Sequence, residues 1–195
     1  MLWIPFWLRL CCPKYSASIV DFYSDDHIVE WNHAYTSSLL VSKLIQDHGL
    51  PAAAELSLSM LMHDIGKVVL RRFSANRFKA ALALADADGI PVFQAEEIAI
   101  GIDHTEVGGM LLEKWGMPPE MALVARLHHC MEMPAAHVDG MALVQFADWI
   151  DCSAREIRCL PPRRELLEAA GLATLDGPAV IEKHREFVEG SEGSQ

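Results

Sequence analysis

Apolar residues recur at three- and four-residue intervals along almost the whole chain, and the polar positions between them punctuate it into short helices. From Asp26 to Asp47 the repeat runs through Ile28, Val29, Leu39, Leu40, the Lys43 stem and Leu44. That spacing predicts a helix, with Gly49-Leu50-Pro51 as its stop. Pro51 is tolerated in a first turn and opens a second predicted helix from Ala52 to about Arg72, rich in Ala, Leu and Met. Gly66 is expected to loosen or end its turns. A third runs from about Ala75 to Asp88, closed by Gly89 and Pro91, and a short acidic one covers Gln94–Ile100.

Asp103 then reads as the N-cap of a helix over His104–Trp115, with Glu106 completing an Asp-based capping box and Gly116 at the C′ position. Pro118-Pro119 starts a helix reaching His128-His129-Cys130 before Pro134. Another spans about Gly140 to Ala154, and amphipathic stretches cover Glu165–Ala170 and Pro178–Val188. No alternating Val/Ile/Thr run and no Asn-Gly hairpin signal is present. The expectation is an all-α bundle with short connections.

Half of the 195 residues are hydrophobic and about a fifth charged, which is globular rather than disordered. The net charge of −11 argues against a nucleic-acid polymer as partner, because such surfaces need clustered Lys and Arg. Five cysteines (Cys11, Cys12, Cys130, Cys152, Cys159) make no CxxC pair and read as reduced thiols of a cytoplasmic protein. The apolar start, MLWIPFWLRLCC, is shorter than the roughly 20 residues of a membrane span. It also lacks a charged n-region and a cleavage site. Packing on the body is expected of it, with membrane-surface anchoring as the alternative; no transmembrane segment is expected elsewhere.

The chemistry concentrates in five places. His63 and Asp64 stand side by side in the apolar text Met-Leu-Met-His-Asp-Ile-Gly-Lys-Val-Val-Leu. A carboxylate in such surroundings must be paired, hydrogen-bonded or metal-bound. His33 lies in the first helix, His104 opens the fifth, His128 and His129 close the sixth, and Asp148 interrupts Leu143–Ile150. Taken singly, each has a plain reading: a hydrogen-bonded core histidine, a histidine at a helix C-terminus, or Asp148 paired with Arg126. Together they form a mixed imidazole–carboxylate set that suits Fe, Mn, Zn, Co or Ni. Seven such groups exceed the needs of one ion, so two divalent transition metals with Asp64 bridging is the economical reading. Two metals can acidify a shared water and clamp a phosphoryl group. Lys67, one turn beyond His63, is then placed to neutralise a phosphate oxygen.

His27, His48, His137 and His184 read as solvated surface. Glu30 reads as a solvated helix residue, with an outer-shell role as the alternative. Glu96-Glu97 are candidates to orient His104, while capping is preferred for Asp103. Trp115, Trp149, Met60, Met62, Met110, Met121 and Met141 read as core filling. Arg71-Arg72 and Arg163-Arg164 read as surface charge, although Arg71 is near enough to Lys67 to help hold phosphate.

The order His … His-Asp-Ile-Gly-Lys … His … His-His … Asp resembles the HD superfamily of metal-dependent phosphohydrolases. More narrowly, Met-His-Asp-Ile-Gly-Lys-Val-Val-Leu, Asp-His-Thr-Glu-Val-Gly-Gly-Met-Leu-Leu-Glu-Lys-Trp-Gly-Met-Pro-Pro-Glu and Arg-Leu-His-His resemble the HD-related output domain, HDOD, over about residues 28–155. The resemblance implies an HD-domain-like helical bundle in which His33, His63, Asp64 and Asp148 match the four-ligand core. His104, His128 and His129 match the extra histidines of the HD-GYP branch, which hydrolyses cyclic di-GMP. The Gly-Tyr-Pro signature of that branch is missing, since Cys-Met-Glu-Met-Pro follows His129.

The resemblance also implies a division of the chain. Residues 1–25 stand for the usual HDOD N-terminal subdomain, 26–160 form the HD-type domain, 161–188 add C-terminal helices, and 189–195 form a disordered tail. The function it implies is a bacterial signal-transduction output domain with a metal site, whose partner is a signalling protein or a nucleotide ligand, with a homodimer allowed. The alternative is a metal-dependent phosphohydrolase or phosphodiesterase acting on a nucleotide or cyclic dinucleotide, in which Asp64 and Lys67 carry the catalysis.

Overall fold

A computed structural model describes residues 28–50, 55–131 and 138–192. Expectations for residues 1–25, the Pro51 helix start, His27, His137 and the last three residues fall outside them. Ten helices make up the described chain, with no strand among the described residues. They are α1 (Ile28–His48), α2 (Glu55–Met62), α3 (Ile65–Phe73), α4 (Ala75–Asp88), α5 (Val92–Ile100), α6 (His104–Lys114), α7 (Pro119–Leu127), α8 (Val138–Ala154), α9 (Arg164–Ala169) and α10 (Gly177–Glu192).

Two apolar clusters, which share α1, α2 and α7, hold the bundle. Leu40, Val41 and Leu44 of α1 pack with Met60 of α2 and Met141, Phe146 and Ile150 of α8, and Leu172 closes the far side. Leu61, Met62, Ile65 and Val68 pack with Leu112 of α6 and Met121 and Ala125 of α7. The helices α4 and α5 form an Ala-rich hairpin of their own through Ala81, Ala85 and Ala95. Small side chains allow that close pairing, and it sets Glu96 beneath the start of α6. None of the described helices is long and apolar enough to cross a membrane.

The expected helix over Ala52–Arg72 is two helices, broken at His63-Asp64 rather than loosened by Gly66. Gly66 has a different task. A Cβ there would lie 1.9 Å from the His104 carbonyl oxygen and 2.8 Å from the Gly108 nitrogen, so only glycine lets α3 meet α6 backbone to backbone. Asp103 caps α6 as expected, accepting from the Thr105 and Glu106 amides at 2.8 and 3.0 Å. The reciprocal half of the capping box does not form, because Glu106 pairs with Arg126 instead. Gly116 takes the left-handed C′ conformation, φ 66°, with the Met117 amide bonded back to the Leu112 carbonyl. Met110, expected in the core, is 53% exposed. The C-terminal helix continues to Glu192, past the expected start of a disordered tail.

Candidate metal centre

His63 and Asp64 form the turn between α2 and α3. Asp64 occupies the N-cap position of α3 yet its side chain accepts no capping hydrogen bond, so its carboxylate is free for the interior. One oxygen, Oδ2, lies 3.5 Å from His63 Nε2 and 3.6 Å from His33 Nε2. The other, Oδ1, lies 3.3 Å from His104 Nε2 and 3.5 Å from His128 Nε2. Asp148 Oδ1 joins the first side at 3.2 Å from His33 Nε2 and 3.6 Å from His63 Nε2. His129 joins the second. All seven residues of the expected ligand set thus converge, with Asp64 between two groups. His33, His63, Asp64, His104, His128 and Asp148 are buried.

Four of the five histidines, His33, His63, His104 and His128, share one orientation. Each turns Nδ1 outward to an acceptor: His33 to Asp151 at 2.7 Å, His63 to the Met60 carbonyl at 2.6 Å, His104 to Glu96 at 2.6 Å, and His128 to the Ala125 carbonyl at 2.9 Å. An outward Nδ1–H fixes the tautomer and leaves the Nε2 lone pair facing in, the arrangement of ligating histidines. Asp64 Oδ1, His104 Nε2 and His128 Nε2 are buried with no hydrogen-bond partner. Three acceptor atoms aimed at one another without a donor are costly. A cation among them removes the cost. The spacings also suit one: bonds of about 2.0–2.1 Å to N and O in tetrahedral geometry separate neighbouring ligand atoms by about 3.4 Å. The donor set therefore fits a transition metal.

Protonation agrees with this. Burial holds the His104 and His129 rings well below their usual pKa, helped by Lys67 and His128 respectively, and burial lowers His63 too. Neutral imidazole is the form that binds metal. Burial opposes charge on Asp64, but Lys67 and His63 hold its carboxyl well below the usual range; His33 and His63 do the same for Asp148. His33 differs: burial would discharge it, yet the Cys152 sulfur and the Asp148 and Asp151 carboxylates raise it well above its ordinary value. Burial pushes Glu96 up to about 7, against the His104 amide hydrogen bond that stabilises its charge.

Lys67 Nζ sits 2.5 Å from Asp64 Oδ2, so its charge is committed to the centre as well as to the cleft above it. That cleft, about 70 Å³, is lined by Lys67, His128, His129, Asp148, Cys152 and Cys159, with Phe93 stacked on His129 at its rim. Arg71 is not available for phosphate, because it pairs with the partly buried Glu30. Asp148 does not pair with Arg126, which bridges Glu106 and Glu113.

Two supporting residues escaped the sequence reading. Asp151, one turn after Asp148 on α8, accepts from His33 Nδ1, from Thr36 Oγ1 at 2.5 Å, from Arg155 Nε at 2.8 Å and from His184 Nε2 at 2.6 Å. Its spacing from Asp148 was the available signal. His184, expected at the surface, is 6% exposed. Of the two acidic candidates behind His104, Glu96 is the one that orients it.

A helical bundle that gathers a histidine from its first helix, a His-Asp turn, three later histidines and an aspartate on one buried point defines an HD-type helical domain. The HDOD domain profile matches residues 18–131, and the chain belongs to the HDOD family. The matched span ends before α8, so Asp148 and Asp151 lie outside it. A solved HDOD domain protein of unknown function from Geobacter sulfurreducens superposes with a TM-score of 0.65 at 22% identity, covering 82% of this chain and 61% of that one. A protein from Shewanella amazonensis SB2B, provisionally named a phosphohydrolase, gives 0.59 at 19% identity, covering 80% and 58%. An uncharacterised protein of Treponema pallidum (strain Nichols) is 24% identical over 120 residues, 60% of this chain but 23% of its own length. The chain thus spans under a quarter of that relative.

Proposed function

We propose that this chain is a metal-binding signal-transduction output domain whose centre holds two divalent transition-metal ions. One would be held by His33, His63 and Asp148, the other by His104, His128 and His129, with Asp64 shared. The observation that carries this is the Asp64 carboxylate: its two oxygens face two separate imidazole groups, and Oδ1 has no hydrogen-bond donor. Regulation rather than turnover is favoured by the room available. The cleft is small, two thiols crowd it, and Lys67 is already tied to Asp64. A signalling protein or a nucleotide would then be the partner that reads the domain, in a cytoplasmic bacterial setting, with a homodimer allowed.

Metal analysis of protein purified without chelator tests the reading. Wild type should carry close to two transition-metal ions per chain, and His63→Ala and Asp64→Asn should each lose at least one. Trace metal in the wild type would remove the proposal.

One observation favours a second reading as a phosphohydrolase: the cleft opens directly over the cluster and has Lys67 in its wall. Bound metal would supply an acidified water and a polarised phosphoryl group. Lys67 would balance developing charge on the phosphoryl oxygens. Release of phosphate or mononucleotide from a panel of nucleotides and cyclic dinucleotides by metal-loaded protein, lost in Lys67→Met, would establish it; silence across the panel would leave the regulatory reading.

A further inference from the structure

Two thiols stand where the imidazole–carboxylate set alone would leave Asp148 open to the cleft. Cys152, one turn after Asp148 on α8, is 8% exposed and has its sulfur 3.7 Å from Asp148 Oδ1. That oxygen is the one facing His33 and His63. Cys159 has its sulfur 3.4 Å from the other oxygen, Oδ2. Ligand atoms of His33, Asp148 and Cys152 all lie within 4.8 Å of one another.

The backbone is bent to make this happen. Beyond α8, Glu156 adopts φ 58°, a left-handed conformation for a non-glycine residue, and the Ile157 amide returns to the Cys152 carbonyl at 2.8 Å. Such a conformation crowds the Cβ against the following carbonyl. It folds residues 157–160 back along the helix end and sets Cys159 against Asp148.

We propose that Cys152 is a ligand of the metal at this end of the centre, together with His33 and Asp148. The ion there would be bound through a thiolate, which selects zinc, iron or cobalt over manganese or magnesium. The inference rests on the metal reading of the site and deepens it. The metal–sulfur bond forms as the thiol proton leaves to solvent. Cys159 is a positioning residue: its S–H donates to Asp148 Oδ2 and leaves Oδ1 turned inward. The separation is close. In the five-coordinate set that Cys152 would make with His33, His63, Asp148 and Asp64, bonds of about 2.3 Å to sulfur and 2.0 Å to oxygen at angles of roughly 90–110° place S and O about 3.0–3.5 Å apart, against 3.7 Å here. Without an ion the same spacing lets the Cys152 thiol donate to Asp148 Oδ1, which aims the sulfur at the oxygen that faces His33 and His63.

The test is cobalt loading of the reduced, metal-free full chain under anaerobic conditions. Wild type should show the near-ultraviolet thiolate-to-cobalt charge-transfer band. Cys159→Ser should keep it. Cys152→Ser should lose the band, retain the visible absorption of cobalt held by the other ligands, and bind cobalt roughly 10-fold or more weaker, by analogy with the loss of groups that support a metal site. Cobalt bound to wild type with no such band, or a band that survives in Cys152→Ser, overturns the assignment while leaving the His/Asp centre standing. No cobalt uptake by wild type overturns both. If Cys152→Ser fails to fold, X-ray absorption on zinc-loaded Cys159→Ser protein decides: one sulfur scatterer per pair of zinc ions at about 2.3 Å supports the ligand, and a shell of nitrogen and oxygen alone removes it.

Discussion

The cost of the centre falls on single residues, and Asp151 carries much of it. Its carboxylate is fully buried and receives His184, His33, Thr36 and Arg155. Burial opposes its charge, but the His184 and His33 hydrogen bonds, with that from Thr36, hold it far below the usual range. A carboxyl whose folded pKa is depressed contributes stability that is complete above its unfolded value, about 3.9, and is lost as pH falls towards the folded value. Asp151→Asn should therefore cost about 1.5–3 kcal/mol near neutrality, the range for hydrogen bonds to a charged group. The gap to wild type should close below about pH 4. Urea unfolding of metal-free protein from pH 7 down to pH 3 measures it, and a gap that stays constant would show that Asp151 is not the charged hub. The same residue marks the limit of what the sequence discloses. His63, Asp64 and Asp148 are legible because they interrupt apolar runs. Asp151 and His184 are paired across 33 residues, and His184 sits in Glu182-Lys183-His184-Arg185-Glu186, which reads as solvated surface.

At the scale of elements, the departures from the periodic pattern are made by the site. Successive residues of a helix point about 100° apart, so His63 and Asp64 could not face one interior point from a continuous helix. The break between α2 and α3 lets them do so, and the unbroken Ala/Leu/Met periodicity of 52–72 conceals it. Helix ends marked by Gly89, Gly116 and Asp103 were readable because caps are local chemistry. The use of Gly66 was not, since the His104 carbonyl it admits lies 38 positions along the chain. Filling that contact should separate α3 from α6 and move His104 off Asp64. Gly66→Ala should cost at least roughly 1–3 kcal/mol as an overpacking change, or about 2–4 °C of Tm per kcal/mol for a chain of this size. Gly190→Ala, in a helix with open space around it, should cost nothing. A thermal melt of the two variants checks this, and equal melting temperatures would mean the α3–α6 approach is not close-packed in solution.

For the whole molecule, the centre gathers side chains from most of the helices that the two apolar clusters hold together. His33 comes from α1, His63 and Asp64 from the α2–α3 turn, His104 from the start of α6, His128 from the end of α7, and Asp148 from α8. One core cluster runs through α1, α2, α7 and α8 and the other through α1, α2, α3, α6 and α7, so the polar centre draws on helices that both clusters already share. An ion bound there is bound by the folded chain alone, because the unfolded chain does not hold these side chains together. Free metal at 100 times its dissociation constant then stabilises the fold by about 2.7 kcal/mol, which for this length is roughly 5–10 °C of Tm. A chelator should remove that increment in wild type and a smaller one in His63→Ala, which loses a ligand of one ion and keeps those of the other. Loss of metal with no change in Tm would mean that the bundle is held by its apolar contacts and that the centre serves binding without holding it together.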